Sequence, residues 1–141
     1  MTSTISASPA TCQVVREGVE FMGKQGHLCA PGISAETAGA QRIHMQIVRM
    51  PPGGRAKPHK HEGHESAIHI LSGESGMWYG ERLEQHLLAR AGDFLYIPAN
   101  MPHLPYNVSE TESCVAVVAR TDPNDQESVV LLPDLNRERG A

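Results

Sequence analysis

Short apolar runs alternate along most of this chain with glycine, proline and Asx residues, and this rhythm limits the possible folds more than any other feature. The runs cover residues 43–50, 67–71, 77–79, 86–89, 94–97, 104–108, 114–119 and 129–132. The chain has 13 glycines and 10 prolines, which are residue types that end strands and turn the backbone. Many short strands between turns predict an all-β sandwich or barrel and argue against a helical bundle.

In two segments the sequence pattern does not decide between helix, strand and loop by itself. Residues 81–90 are long enough for a helix, but glycines flank them, and an edge strand preceded by a turn is an equal alternative. Residues 23–40 contain glycine, proline and small side chains, and they are predicted to be mostly loop with one helical turn from Ser34. One strand is predicted within residues 13–21.

The length of the chain fits one domain, because 141 residues would leave each of two separate cores near the lower size limit. Along the chain we distinguish three parts. Residues 1–40 are predicted to be an N-terminal extension with an edge strand and a loop. Residues 41–121 are predicted to be the core of the barrel, and residues 122–141 a C-terminal strand and tail.

The net charge and the cysteines indicate which partners the protein can bind and in which cellular compartment it works. The formal net charge of -4 argues against a nucleic-acid-binding protein, which normally carries a basic surplus. Cys12, Cys29 and Cys114 are widely spaced and form no CxxC pair, so a reducing compartment is expected. The N-terminal segment lacks the basic start and apolar run of a signal peptide, and no apolar stretch approaches the roughly 20 residues that span a bilayer. These features predict a cytoplasmic protein without membrane or nucleic-acid partners.

The segment 53–66 carries the residues with the clearest chemistry, since it contains His59 and His61. In an extended strand, side chains two residues apart share a face, so these imidazoles would form a platform for a divalent metal ion. The platform needs a further ligand, and His103, in a turn stiffened by prolines, is the natural candidate. An isolated His-x-His pair is also typical of a solvated polar strand.

Two motifs of fixed spacing favour the metal site, because together they resemble the motifs of the cupin superfamily. The first family motif is glycine, five residues, His-x-His, three or four residues, glutamate, six residues and glycine. The second is glycine, five residues, Pro-x-Gly, two residues, histidine, three residues and asparagine. The chain matches these motifs at Gly53, His59, His61, Gly73, Gly92, Pro98, His103 and Asn107. The resemblance spans about residues 41–121 and implies a cupin double-stranded β-helix, with the metal near the wider mouth of a small antiparallel barrel.

The chain departs from these motifs at two places. Asn100 stands at the glycine position of the second motif, and asparagine tolerates the left-handed backbone conformation better than other non-glycine residues. Ser66 stands where many cupins have a carboxylate ligand, and the neighbouring Glu65 is predicted to face away from the apolar side of its strand. This parity disfavours Glu65 as a ligand unless a bulge in the preceding turn reverses it.

Three ligand sets therefore remain open. The first consists of His59, His61 and His103 alone, and the others add either Glu65 or His64 as a fourth ligand. Three neutral imidazoles would leave the ion its full charge and up to three open positions in an octahedron, whereas a carboxylate would reduce both. Three-histidine cupins include thiol dioxygenases and diketone-cleaving dioxygenases. The resemblance thus implies one divalent metal ion per chain, with iron(II) favoured, while zinc, nickel, manganese and copper suit the same ligands.

The resemblance also implies a metal-dependent enzyme, a dioxygenase-like oxidoreductase that acts on a small organic molecule. Glu65 or His64 would serve as a fourth ligand or as a proton-transfer partner, and Tyr106 is a candidate for the cavity. Isomerases, decarboxylases and lyases use the same kind of site, and a non-catalytic module that binds a small ligand or a metal is the alternative from another class. Cupins commonly dimerise through edge strands, which implies a homodimer.

The other histidines and the larger aromatic residues are predicted to have structural roles. His27, His44 and His86 belong to no motif and are predicted to lie on the surface, and His69 is predicted to face away from the metal. The aromatic side chains predicted to fill the barrel are Trp78, Tyr79, Phe94 and Tyr96.

Overall fold

The fold is almost entirely built of short strands. The computed structural model of the chain describes residues 10–16, 20–124 and 128–135. Its strands are β1 (Phe21–Met22), β2 (Leu28–Ile33), β3 (His44–Met50), β4 (His59–His61), β5 (Ser66–Ser72), β6 (Glu74–Tyr79), β7 (Gln85–Arg90), β8 (Phe94–Ile97), β9 (His103–Asn107), β10 (Cys114–Arg120) and β11 (Val129–Leu131). A short helix, α1 (Ala35–Ala38), follows β2. The predicted all-β class is confirmed, and no helix in the described ranges is long and apolar enough to cross a bilayer.

The strands form two antiparallel sheets. A six-stranded sheet has the order β1-β2-β3-β10-β5-β8, and a five-stranded sheet has the order β11-β4-β9-β6-β7. From β3 onward the chain crosses from one sheet to the other with almost every strand, and the β6–β7 hairpin interrupts this alternation. This winding is a double-stranded β-helix, and it makes neighbours of β4 and β9, which are far apart in sequence.

Alternation along each strand places one of its faces in the interior between the sheets. On β10, Cys114, Ala116, Val118 and Arg120 are buried, whereas the residues between them are half-buried. The neighbouring strands β3 and β5 pair with β10 and turn their own alternate residues toward the same interior. The apolar row of β10 therefore ends on a buried guanidinium.

The segment that left two alternatives open, residues 81–90, forms a turn and an edge strand. Leu83 adopts a left-handed backbone conformation with φ of 55° in this turn, and its side chain is fully buried. After the turn, β7 pairs with β6 and lies at the edge of the five-stranded sheet.

Residues 23–40 differ from the prediction, because they contain β2 and not mainly loop. β2 pairs with β3, and a register shift between Pro31 and Ile33 accommodates the proline and glycine that made this segment resemble a loop. The predicted helical turn from Ser34 is confirmed as α1, where the Ser34 hydroxyl accepts the N–H of Thr37 at 3.2 Å.

The strand predicted within residues 13–21 falls partly on residues 17–19, which lie outside the described residues. The described part of this segment has no strand before Phe21, where β1 begins and pairs with β2. The N-terminal extension thus joins the edge of the six-stranded sheet.

Four side chains differ from the prediction in their burial. His27 and His44 are only 8% and 1% exposed, whereas Phe94 and Tyr96 are 82% and 59% exposed. For His44, Phe94 and Tyr96 the residue type misleads, because strand parity turns a side chain inward or outward whatever its type. His27 lies in the turn between β1 and β2, where parity does not apply. His86 is exposed as predicted.

Candidate metal centre

Three histidine side chains meet inside the barrel. β4 turns both His59 and His61 inward, which confirms that the two imidazoles share one face. β9 contributes His103, which is buried and is the direct register partner of His59. One possible ligand nitrogen from each ring lies within 4.8 Å of the other two. The pairing of β4 with β9 therefore completes a cluster that is split in the sequence.

Each imidazole is oriented through its Nδ1 atom. The Nδ1–H group donates to the backbone carbonyl oxygen two residues earlier, at 2.7 Å for His59 and 2.8 Å for His103. Nδ1 of His61 lies 3.3 Å from the hydroxyl oxygen of Ser128. A proton on Nδ1 leaves the lone pair on Nε2, and the carbonyl acceptors require this tautomer at His59 and His103. In the same tautomer His61 would donate its Nδ1–H to the Ser128 hydroxyl, and all three Nε2 atoms would then be available to a metal ion. Both the donor atoms and their orientation fit one divalent ion.

Burial keeps these imidazoles neutral. It lowers the pKa of His59 well below the usual value, lowers that of His61 to about 2 and lowers that of His103 to about 4. The positive charge of Arg120 adds to this effect at His61 and His103. Neutral imidazole is the form that ligates a metal, so at neutral pH these side chains need not lose a proton to bind one.

A cavity of about 80 Å³ adjoins the cluster. Much of its wall is apolar and includes Met50, Ile70, Met77, Ile97, Ala116 and Val118. Its polar end contains the three histidines together with Gln25, His27, Ser66 and Arg120. The space beside the imidazoles thus has a mainly apolar wall with a group of polar side chains near the histidines.

Three residues of the cavity wall belong to neither sequence motif, and sequence reasoning missed them: Arg120, Gln25 and His27. Arg120 could have been predicted from the alternation along β10, because it falls at a position whose side chain faces inward. Gln25 and His27 lie between β1 and β2, where the sequence has no periodicity to indicate which side chains are buried.

Glu65 lies outside the histidine cluster. Its side chain is exposed, its backbone N–H donates to the Thr121 hydroxyl at 3.1 Å, and it does not line the cavity. The next residue, Ser66, does line the cavity, and β5 pairs with β8 in regular register from this point. No bulge therefore turns Glu65 inward. His64 is half-buried and is likewise not among the residues that line the cavity.

Tyr106 faces away from the cavity, on the outer side of the five-stranded sheet. Its hydroxyl oxygen lies 2.7 Å from Nε2 of His86, and the His86 ring packs against Trp78 with ring centroids 4.3 Å apart. A Cβ atom on Gly76 would collide with the Tyr106 ring, so the glycine makes room for it. The structure therefore assigns Trp78 and Tyr106 to a surface groove and not to the interior of the barrel.

Comparison with known proteins agrees with this architecture. A family model described as a cupin domain matches residues 46–119, which is more than half of the chain. The chain belongs to the cupin family. Germin-like protein 3-1 from Oryza sativa subsp. japonica is 30% identical over 114 residues, which cover 79% of this cupin and 50% of that protein. The chain thus spans about half the length of this curated relative.

Solved structures with the same fold include enzymes of different kinds. An oxalate oxidase in complex with glycolate has a TM-score of 0.68 at 20% identity, over 91% of this cupin and 66% of that chain. The polyketide cyclase RemF from Streptomyces resistomycificus has a TM-score of 0.64 at 22% identity, over 84% and 80% of the two chains. Oxalate decarboxylase from Bacillus subtilis, which has Mn(II) centres, gives a TM-score of 0.67 at 22% identity, over 83% and 30%. At these identities the likeness establishes the fold and not the reaction.

The turn before β9 is tied to the end of β4 in this cupin. Asn100 adopts a left-handed conformation with φ of 65°, which confirms that it replaces the motif glycine in that role. Its backbone N–H donates to the carbonyl oxygen of His61 at 3.0 Å, and its side-chain oxygen accepts the N–H of Gly63 at 2.9 Å. These bonds hold the two histidine-bearing segments together.

A segment near the C-terminus also supports the site. The N–H of Ser128 donates to the Asp122 carboxylate at 3.1 Å, and the Ser128 hydroxyl lies beside His61. Burial alone would raise the pKa of Asp122, but hydrogen bonds from Asn124 and Ser128 outweigh it and lower that pKa. An anionic Asp122 therefore holds Ser128 in place, so residues beyond the predicted core, 41–121, help to orient a core histidine.

Proposed function

We propose that this cupin is a metal-dependent enzyme, an oxidoreductase of the dioxygenase-like type that acts on a small organic molecule. The observation that carries the proposal is the set of three Nε2 atoms of His59, His61 and His103, which are free of hydrogen bonds to the backbone and lie beside a cavity. Iron(II) is the favoured ion, and zinc, nickel, manganese and copper suit the same nitrogen ligands.

One divalent ion at this position would supply Lewis-acid and one-electron chemistry at the polar end of the cavity. The role of the chain is to hold three neutral nitrogen donors in fixed orientations. Backbone carbonyl acceptors do this for His59 and His103, and the Ser128 hydroxyl does it for His61. Three protein ligands leave further coordination positions for a substrate with two oxygen atoms. The apolar wall around Ile70 and Val118 limits the access of water to that space.

The proposed ligand set contains only the histidines. Glu65 is exposed and His64 lies outside the cavity wall, so neither supports the sets with a fourth protein ligand. The hydroxyl of Tyr106 is bonded to His86 on the outer face, and we assign it no catalytic role.

Metal analysis of the purified protein tests the ligand set. We expect His59→Ala and His103→Ala each to lower the metal content by about tenfold or more, because each removes one of three ligands. Glu65→Ala and His64→Ala are matched controls from the adjoining segment, and we expect them to keep the metal. Loss of metal in either control would replace the three-histidine set with a four-ligand set.

Oxygen uptake tests the reaction. The iron(II)-loaded protein is to be assayed in air with a panel of catechols, diketones and thiols, and consumption of oxygen that depends on His103 supports the dioxygenase-like activity. Tight binding of a panel compound without turnover, with every metal of the series, would instead establish a binding module.

We further propose a homodimer that forms through the outer face of the six-stranded sheet at its β8 edge. Phe94 and Tyr96 are exposed on β8 itself, and Met45 is exposed on β3, on the same outer face of the sheet. Phe94→Asp is expected to give a monomer in light scattering coupled to size exclusion. Leu88→Asp, which changes an exposed leucine on the other sheet, is the control and should leave the dimer intact.

We also propose that the protein works in the cytoplasm. Cys29 and Cys114 are buried free thiols and Cys12 is an exposed one, which supports a reducing compartment. Fractionation of cells that produce the protein tests this, and its recovery outside the cytoplasm would contradict it.

A further inference from the structure

The backbone that precedes β4 determines how the ring of His59 is oriented. The Nδ1–H group of this ring donates to the carbonyl oxygen of Lys57 at 2.7 Å. Residues 56–58 belong to no strand, so no ladder of strand hydrogen bonds fixes the direction of this carbonyl group. Pro58 favours an extended conformation of Lys57 but has no N–H group that could bind to another part of the chain. The position of the Lys57 carbonyl therefore depends on contacts from elsewhere in the fold.

The turn between β1 and β2 supplies one of these contacts. The carbonyl oxygen of Gln25 in this turn accepts the backbone N–H of Lys57, and the neighbouring N–H of Ala56 donates to the carbonyl oxygen of Pro105 on β9 at 2.9 Å. Two hydrogen bonds in series thus connect the turn to Lys57 and Lys57 to the imidazole of His59. The N-terminal extension therefore reaches the metal centre, although none of its residues belongs to a sequence motif.

The turn has a defined structure that depends on glycine. The N–H of Gly23 donates to the carbonyl oxygen of His27 at 2.9 Å, and the N–H of Gly26 donates to the carbonyl oxygen of Gly23 at 3.0 Å. Gly26 has φ of 100°, a conformation that residues with a side chain rarely adopt. A Cβ atom at this position would lie 3.7 Å from the backbone nitrogen of Lys57, so the turn packs directly on that residue.

The turn also covers one side of the cavity. Gln25 and His27 are both buried, and both line the cavity together with the three histidines of the candidate metal centre. Gly26 lies between them and faces the backbone of Lys57. The same short segment therefore forms part of the cavity wall and contacts the residue that orients His59.

We propose that the turn of residues 23–27 is a positioning element of the metal centre, which fixes the orientation of the His59 ring through Lys57. A hydrogen bond at the second ring nitrogen sets the tautomer and the orientation of a ligating histidine, and loss of this support typically lowers metal affinity by about ten- to a hundredfold. The inference rests on the proposed metal-dependent function and adds the N-terminal extension to the parts of the chain that the site requires.

Proton–nitrogen NMR of the metal-free protein tests the hydrogen bonds directly. Gly26→Ala strains the turn, because alanine disfavours the backbone conformation of this position. We expect the Nδ1–H proton of His59 to exchange with solvent at least about tenfold faster in this variant, since the Lys57 carbonyl is no longer fixed. The Nδ1–H proton of His103 donates to the Met101 carbonyl oxygen and is the internal control, which should exchange at an unchanged rate.

Gly92→Ala is the matched control variant. Gly92 has φ of 95° in the turn between β7 and β8, so alanine introduces a similar backbone strain at this position. A Cβ atom there would meet no atom within 4 Å, and the position has no hydrogen bond to Lys57. We expect this variant to leave the exchange of the His59 Nδ1–H proton unchanged.

Titration with Co(II) tests the consequence for the metal centre. We expect Gly26→Ala to weaken Co(II) binding by about tenfold or more. It should also change the visible absorption spectrum of the bound Co(II), which reports the arrangement of the ligand nitrogens and does not respond to a loss of stability alone. Gly92→Ala should retain both the affinity and the spectrum.

An unchanged exchange rate of the His59 Nδ1–H proton in Gly26→Ala would overturn the inference, and so would equal effects of Gly26→Ala and Gly92→Ala. Faster exchange with unchanged Co(II) affinity would overturn it too. If Gly26→Ala does not fold, exchange in the unmodified protein decides. The His59 Nδ1–H should then be no better protected than the Lys57 N–H that holds its acceptor, and stronger protection at His59 would contradict the proposal.

The two measurements separate this inference from the proposed function. The NMR comparison needs no metal, so faster exchange at His59 in Gly26→Ala supports the link from the turn to His59 even if metal analysis or oxygen uptake contradicts the enzyme. Normal metal content in Gly26→Ala together with unchanged exchange at His59 overturns the positioning role alone.

Discussion

The two faces of the five-stranded sheet each carry a cluster of histidine with other rings, and only one of them has the features of a metal site. On the inner face, the rings of His59 and His103 have centroids 4.3 Å apart and both are buried. On the outer face, the rings of Trp78 and His86 are equally close, at 4.3 Å, and His86 Nε2 is 2.7 Å from the Tyr106 hydroxyl. Proximity of rings therefore does not distinguish the clusters.

The difference lies in which nitrogen is occupied and in burial. The inner imidazoles form their hydrogen bonds through Nδ1, whereas His86 uses Nε2 for a hydrogen bond on an exposed surface. Because His103 and Tyr106 are three residues apart on β9, strand parity places them on opposite faces. A histidine is thus a candidate ligand when strand parity turns it into the barrel and a hydrogen bond at Nδ1 fixes the orientation of its ring.

The largest expected effect concerns Asn107, on the inner face of β9. Its side-chain amide donates to the carbonyl oxygens of Met50, Pro51 and Glu112 at 3.0, 3.0 and 2.7 Å. Asn107→Ala leaves these acceptors unsatisfied, and we expect it to lower the free energy of unfolding by about 3 kcal/mol. Chemical denaturation measures this, and a loss below about 1 kcal/mol would contradict the role of Asn107 in linking three segments.

Paired substitutions sharpen the contrast between the faces. His103→Gln is expected to weaken metal binding by about a hundredfold or more, since loss of a ligand should exceed the effect of losing its supporting partner. His86→Gln, the same change on the outer face, should leave the metal dissociation constant unchanged. Titration with a metal-sensitive competitor dye measures both, and equal effects would show that burial and orientation do not select the ligands.

A smaller effect is expected from Ser128, which contacts the inner cluster without being a ligand. Ser128→Ala removes the partner of His61 Nδ1, and we expect metal affinity to fall by about tenfold. Ser72→Ala, at an exposed position on β5, is the control. An unchanged affinity in Ser128→Ala would mean that His61 is oriented by packing alone.

The smallest effect is expected on the outer face. Tyr106→Phe removes a hydrogen bond to an exposed histidine, and we expect a loss of stability of about 0.5 kcal/mol with no change in metal content. Thermal melting and metal analysis of the same sample check both parts. A change in metal content would show that Tyr106 affects the metal site and would contradict the distinction between the inner and outer faces.

Much of this cupin was predictable because its local signals agree with its fold. The turn residues separate the apolar runs that became β5, β8 and β10, and the strand period gave His59 and His61 a common face. The left-handed conformation of Asn100 also follows from its residue type. Where local signals were weak or misleading, prediction failed: β2 contains proline and glycine, and Phe94 is large and apolar yet exposed.

By itself, then, the sequence determined the all-β class, the positions of most strands and the choice of three histidines as candidate ligands. The tertiary structure decided that β4 pairs with β9, that Glu65 stays outside, and that Arg120 and His27 join the cavity wall. The physical reason is that turns and side-chain alternation are set by neighbours along the chain. Pairing between distant strands depends instead on how all the apolar faces are buried together.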